Sequence, residues 1–170
     1  MNPEIAAIAH AARQASRALL QCSGAARDAA LLAIAEQLDH HADRVLAANA
    51  LDLARSAAAG QSTALQDRLR LTPERLVALA ASVREVARLP DPLGPVPWPS
   101  QRDDGLQIGR LRVPLGVIAM IYEARPNVTV DAAALCLKSG NASILRGGSE
   151  AIESNRALAE LIHTALIESQ

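Results

Sequence analysis

Apolar residues recur every three or four positions from Asn2 to about Gly105, and beyond that point they gather into short continuous runs separated by polar junctions. In the first part, Leu31, Ile34, Leu38, Ala42 and Val45 keep helical spacing, and Gly60 stands where a C′ glycine belongs, which predicts one long amphipathic helix. Breaks are expected at Ser23-Gly24, at Gly60 and across residues 90–99. Thr72 is a natural N-cap, Pro73 suits the first helical position, and Glu74 complements the positive helix end. The helix that follows them presents Leu76, Leu79, Val83 and Val86 on one face. Pro92, Pro95, Pro97 and Pro99 then forbid regular hydrogen bonding and predict an extended crossing.

After the crossing the period changes. Leu106, Ile108 and Arg110 alternate with Gln107 and Gly109, which predicts a projecting strand or hairpin over residues 105–115. Residues 117–122 form an apolar run of buried-strand length. Thr129 is placed to cap a short helix that carries Val130, Ala133, Ala134 and Leu137 and stops at Gly140-Asn141. Residues 142–145 read as a second buried strand, and residues 150–168 as a closing helix with Ile152, Leu158, Leu161 and Ile162 inward. Strand, helix, strand, helix implies parallel strands with a helical crossover, and hence an α/β fold.

Half of the 170 residues are hydrophobic, enough for a buried core without metal or disulfides. Phe is absent and there is one Trp and one Tyr, so the apolar area comes from Leu, Ile, Val and Ala. A formal net charge of -1 offers no field to gather nucleic acid or an anionic membrane. No apolar run approaches the ~20 residues that span a bilayer, and the N-terminus lacks the pattern of a signal peptide. A cytoplasmic location is the expectation. Cys22 and Cys136 have no CxxC partner and fit a reducing compartment. Both are expected to be buried structural thiols. His40 and His41 point to different helix sectors while His10 and His163 stand alone, so no metal site is predicted. Lys138, the single lysine, is expected to be a surface cation near a helix C-terminus.

Chemistry concentrates at the polar junctions. The run Tyr122-Glu123-Ala124-Arg125-Pro126-Asn127 puts a carboxylate, a guanidinium and an amide at the carboxyl end of a parallel strand, where open α/β sheets bind ligands. The plain alternative is a polar turn in which Asn127 bonds local backbone and Arg125 pairs with Glu123. Arg146-Gly147-Gly148-Ser149-Glu150 joins a strand to a helix, so backbone N–H groups and a cation converge there. It is not a GxGxxG loop, and a simple tight turn explains it equally well. Glu150 and Glu153 oppose the positive helix end, which favours recognition of hydroxyls over a bare pyrophosphate.

The segment IYEARPNVTVDAAALCLKSGN followed by ILRGGSEA resembles the aldehyde dehydrogenase superfamily and, within it, the γ-glutamyl phosphate reductase family. The resemblance implies a Rossmann-like cofactor domain, with residues 1–104 its helical N-terminal part, 105–115 a projecting hairpin and 116–170 the start of its sheet. It implies that Asn127 donates to the developing oxyanion when a cysteine thiolate attacks the acyl carbon. Arg-Pro-Asn replaces the Pro-Trp-Asn of many relatives, and the hypothesis for Arg125 is that it helps neutralise a phosphate leaving group. For the cofactor, Arg146 matches a basic position beside the adenosine ribose, Gly148 belongs to the turn, and either Ser149 or Glu150 matches the acidic position. An arginine near a 2′-phosphate favours NADP over NAD.

The function so implied is NADPH-dependent reduction of γ-glutamyl 5-phosphate to glutamate 5-semialdehyde in proline synthesis, by a homo-oligomer acting on a small-molecule substrate. In that family the nucleophilic cysteine lies far downstream of the Asn in RPN. The chain is therefore expected to be the first part of such an enzyme, without the catalytic domain, inactive alone and prone to association through open strand edges. Two alternatives stand beside it: a non-catalytic nucleotide-binding or interaction module, and another aldehyde or acyl-CoA dehydrogenase of the superfamily.

Overall fold

The structure is a computed structural model that describes residues 2–94 and 100–169. The expected crossing at Pro95, Pro97 and Pro99 lies outside the described residues. Five helices come first: α1 (Pro3–Leu19), α2 (Gly24–His40), α3 (Ala42–Ala58), α4 (Thr63–Leu69) and α5 (Pro73–Arg88). A short antiparallel pair, β1 (Ser100–Gln101) with β2 (Gln107–Ile108), precedes β3 (Val117–Ile121), α6 (Asn127–Lys138), β4 (Ala142–Arg146), a 3-10 turn (Ser149–Ala151) and α7 (Ile152–Glu168). Strands β3 and β4 are parallel, with Val117 opposite Ala142 and Ile121 opposite Arg146. This is the α/β unit that the alternation of elements implies.

Local signals explain most boundaries. Ser23 caps α2 by accepting from the Ala26 N–H, and Thr72 caps α5 by accepting from the Arg75 N–H at 3.2 Å. Gly60 and Gly140, at φ +67° and +71°, turn the chain out of α3 and α6 in the left-handed region that glycine enters without penalty. Asn141 accepts from the Gly116 N–H at 2.8 Å, which ties the starts of β3 and β4 together.

Three expectations are corrected. The single long helix over residues 24–58 is two, because His41 leaves the helical region at φ -119°, ψ 26°. A straight helix of that length would run about 50 Å, and the break lets α3 turn to pack on α7 while α2 stays against α5. Thr129 does not cap α6. That helix begins two residues earlier at Asn127, and Thr129 is buried inside its first turn. The alternation through residues 105–115 yields only the two-residue ladder of β2, paired with Ser100–Gln101, and residues 109–115 form no strand.

The core lies between the helices. Leu31, Ile34 and Leu38 of α2, Val45 of α3, Leu76, Leu79 and Val83 of α5, Val130 of α6, and Leu158 and Leu161 of α7 share one buried cluster. Buried alanines at 35, 80, 134 and 165 let these helices approach closely in the absence of aromatics. Strand β3 is far less covered: Ile121 is 76% exposed, and Leu111, Val113 and Leu115 ahead of it are exposed as well.

The buried stripe of α3 is mostly polar, comprising Val45, Asn49, Asp52 and Ser56. Asn49 donates to the Leu69 carbonyl at 2.9 Å and to Ser154 Oγ at 3.0 Å, and its own carbonyl accepts from the Leu71 N–H at 2.8 Å. Asp52, fully buried, accepts from the Ser154 N–H at 2.8 Å, from Ser154 Oγ at 2.7 Å and from the Glu153 N–H at 3.3 Å, and it pairs with Arg55. Helix α7 has no side-chain cap of its own. Asp52 supplies one from another helix, a carboxylate on the positive helix end. Asp52→Ala strands these donors in the core, so urea unfolding should show a loss of about 3 kcal/mol, and Asp52→Asn should lose less because one acceptor remains.

Candidate functional site

Two loops follow the parallel strands on the same edge. At the end of β3, Tyr122 continues the ladder by donating its N–H to the Arg146 carbonyl at 3.1 Å. The chain then folds back through a turn in which the Arg125 N–H donates to the Glu123 carbonyl at 2.8 Å, and the buried Pro126 leads into α6. The Tyr122 hydroxyl lies 2.7 Å from Thr129 Oγ1, which bonds Asn155 of α7 at 3.0 Å. These bonds clamp the loop to both following helices. Asn127 therefore sits, half-buried, at the start of α6, where its amide donates to Asp131 Oδ2 at 3.0 Å. One amide N–H remains for a further acceptor.

Asn127, Arg125 and Asp131 line a cleft of about 520 Å³ together with Asp67, Arg68, Arg70 and Arg75 from the α4–α5 region and Ser82 of α5. Arg125 is exposed and makes no ion pair with Glu123 or any other described residue. Burial pushes the Asp131 carboxyl above the ordinary aspartate range, opposed by the bond from Asn127.

At the end of β4, Arg146 is exposed and free of ion pairs among the described residues. Gly147 is required sterically, since a Cβ there would collide with the Asn155 amide and stand 3.0 Å from the Tyr122 ring. At Gly148 a Cβ would meet only the mobile carboxylate end of Glu150. Ser149 and Glu150 line a smaller hollow of about 240 Å³ with Arg55, Ser56, Ala59 and Gln61 of the α3 end. Arg146 is not among its lining residues, so the structure brings Ser149 and Glu150 together with α3 and leaves Arg146 outside.

The thiols and the lysine divide. Cys136 is buried, and desolvation pushes its thiol up, away from the nucleophilic thiolate. Cys22 is exposed at the α1–α2 turn, against expectation, because the helix ends there before any element covers it. Lys138 is also unlike the surface cation expected. It is 5% exposed, donates to Asp28 at 2.6 Å and to the Ala87 carbonyl at 2.8 Å, and so pins α6 to α2 and α5. Sequence reasoning missed the contribution of α4 and α5 to the cleft. The density of arginine in Asp67-Arg68-Leu69-Arg70 and Arg75, between two helices, was its available signal. Among the described residues no group of three or more His, Cys, Asp and Glu could hold a metal ion, and no helix is long and apolar enough to cross a membrane.

The fold is that of the aldehyde dehydrogenases: it superposes on a probable aldehyde dehydrogenase from Listeria monocytogenes with a TM-score of 0.72 at 14% identity, over 98% of this chain and 34% of that one. Within that class the likeness is to γ-glutamyl phosphate reductase. The chain is 57% identical over 155 residues to that enzyme from Nitratidesulfovibrio vulgaris, which is 91% of this chain and 37% of the relative. Crystal structures of the reductases from Thermotoga maritima (TM-score 0.88, 41% identity, 92% of this chain and 38% of that one) and Saccharomyces cerevisiae (0.89, 34%, 95% and 41%) match it as well. The chain thus spans about two-fifths of the length of the relatives it matches. No protein-family model matches it.

The state of Asp131 gives a pH-dependent expectation. A carboxyl whose folded pKa is raised contributes stability below its unfolded value, and that stability is lost as pH rises through the folded value. Asp131→Asn keeps an acceptor for Asn127 and removes the charge, so relative to the wild type it should gain stability as pH rises above about 4, the ordinary aspartate value, until the folded carboxyl is ionised. Urea midpoints at several pH values check this, and a difference independent of pH would contradict it.

Proposed function

We propose that this chain is part of an enzyme that uses NADPH to reduce γ-glutamyl 5-phosphate to glutamate 5-semialdehyde and phosphate, a step of proline synthesis in the cytoplasm. The 57% identity to a γ-glutamyl phosphate reductase carries the reading. The strand-end cleft beside Asn127 supports it, because this is where an α/β sheet presents groups to a small-molecule substrate. Neither cysteine of the chain suits the acyl-accepting role: Cys136 is buried and Cys22 lies on the α1–α2 turn. That thiolate belongs to a part of the enzyme outside this chain.

The chain's own residues supply orientation and charge. Asn127 is held at the head of α6 by Asp131, and its remaining N–H is a fixed neutral donor for the acyl oxygen as that oxygen becomes negative. Arg125, exposed on the same cleft, suits the departing phosphate through paired N–H donors. The tight turn after β4 supports the cofactor part of this reading. A Cβ at Gly147 would meet the Asn155 side chain of α7, Ser149 and Glu150 offer a hydroxyl and a carboxylate to the hollow beside α3, and the Arg146 guanidinium is exposed and uncommitted outside that hollow. Arg146, Gly148, Ser149 and Glu150 would hold the adenosine end, with Arg146 on the 2′-phosphate. When bound, NADPH supplies the hydride. The proposed working enzyme is a homo-oligomer.

Two outcomes test these assignments in the full-length enzyme. Asn127→Ala should lower kcat by about 100-fold to 1,000-fold with little change in the KM for NADP, measured as phosphate-dependent NADP reduction with glutamate 5-semialdehyde; an unchanged kcat removes the oxyanion role. Arg146→Ala should weaken NADPH binding by about 2 kcal/mol and NADH binding far less, measured by fluorescence titration. Equal losses for the two cofactors would make Arg146 structural.

A further inference from the structure

Four arginines and two aspartates line the cleft beside Asn127, which leaves it a formal charge of +2. They are not equivalent. Arg75 is committed to its own corner: its Nη1 donates to the carbonyls of Asp67 at 2.8 Å and Arg70 at 2.7 Å, and its Nη2 pairs with Asp67 at 3.1 Å. Asp131 is taken up by Asn127. Arg68, Arg70 and Arg125 remain, and among the described residues none of their guanidinium groups makes an ion pair or a hydrogen bond.

The backbone that carries Arg70 is unusually well fixed for a connection between helices. The buried Asn49 accepts from the N–H of Leu71 and donates to the carbonyl of Leu69, and Arg75 holds the carbonyl of Arg70 itself. Cations assembled on a braced corner, uncompensated, and facing a cleft of about 520 Å³ make a receptor for an anion of small-molecule size. An unbraced set of solvated surface arginines would need none of these bonds.

We propose that Arg68 and Arg70 act with Arg125 as an oxyanion-binding pocket that holds an anionic end of the substrate while Asn127 meets its acyl oxygen. The assignment rests on the reductase reading for the identity of the substrate. The pocket itself recognises a planar or tetrahedral oxyanion through guanidinium forks. Two groups of the substrate have that chemistry: the phosphoryl group, which carries close to two negative charges, and the carboxylate at the other end of the γ-glutamyl chain.

The test uses the full-length enzyme and the variants Arg68→Gln, Arg70→Gln, their double, and the corresponding lysine substitutions. KM values for inorganic phosphate, glutamate 5-semialdehyde and NADP are measured separately in the phosphate-dependent oxidation. The double glutamine variant should raise one of the two anion KM values at least tenfold and leave that for NADP within twofold, and the lysine variants should recover part of the loss. A rise for phosphate identifies the phosphoryl group as the ligand, and a rise for the semialdehyde identifies the carboxylate. Unchanged values for both, or a parallel rise that includes NADP, overturns the proposal. Should the double variant melt early by circular dichroism, the single and lysine variants carry the same readout. Absence of any phosphate-dependent activity in the wild type would fail the reductase reading instead. The pocket is then judged by calorimetric titration of phosphate and of glutamate: binding in the wild type that the glutamine substitutions abolish upholds it, and no binding of either in the wild type overturns it.

Discussion

The architecture turns on one buried chain of hydrogen bonds, in which Asn49 donates to Ser154 Oγ and Ser154 donates to Asp52. Every polar atom in it is used. The Asn49 amide also holds the backbone on both sides of Arg70, and the Asp52 carboxylate also caps α7 just after the Gly147-Gly148 turn. About one turn of α3, from Asn49 to Asp52, thereby sets the position of two loops that are more than seventy residues apart in sequence. A fully satisfied polar network of this kind is rigid because any displacement leaves a buried donor or acceptor unpaired, at a cost of about 1–3 kcal/mol per group.

That rigidity fixes two loops whose linings differ in chemistry. The cleft beside Asn127 is rich in unpaired guanidinium groups, whereas the hollow beside Ser149 mixes two hydroxyls, a carboxylate and an amide with the already paired Arg55. The first suits a strongly anionic group and the second suits hydroxyls. The proposed reaction would need both kinds of surface at a fixed separation, since misplacement by an ångström costs orders of magnitude in rate. The side-chain bonds among Tyr122, Thr129 and Asn155 brace the same arrangement from the strand side.

Much of this was legible in the sequence where one signal dominates. Thr72-Pro73 announces the start of α5, Gly60 and Gly140 announce helix ends, and the apolar runs give β3 and β4 nearly to the residue. The α/β class and the kinship followed from the polar junctions after those strands. What escaped was whatever depends on polar burial. Periodicity counts apolar residues, so the inward stripe of Asn49, Asp52 and Ser56 is invisible to it, and the break at His41 that aims this stripe at α7 carries no Gly or Pro. For the same reason Lys138 looked like a surface cation although its ammonium is enclosed by Asp28 and the Ala87 carbonyl. The basic cleft was missed because its arginines come from an exposed corner between α4 and α5 and meet Asn127 only through tertiary packing.

The coupling of the two loops through α3 is tested most directly by native-state hydrogen exchange on Asn49→Ala. Protection factors at the amides of Leu71, Glu153 and Ser154 are compared with that of Ile34 in the core, in the mutant and in the wild type. If one network registers both loops, exchange should accelerate at Leu71, whose acceptor is deleted, and also at Glu153 and Ser154, whose acceptor Asp52 is still present, while Ile34 changes only by the global loss of stability. Acceleration confined to Leu71, with the amides of α7 as protected as before, would contradict the account.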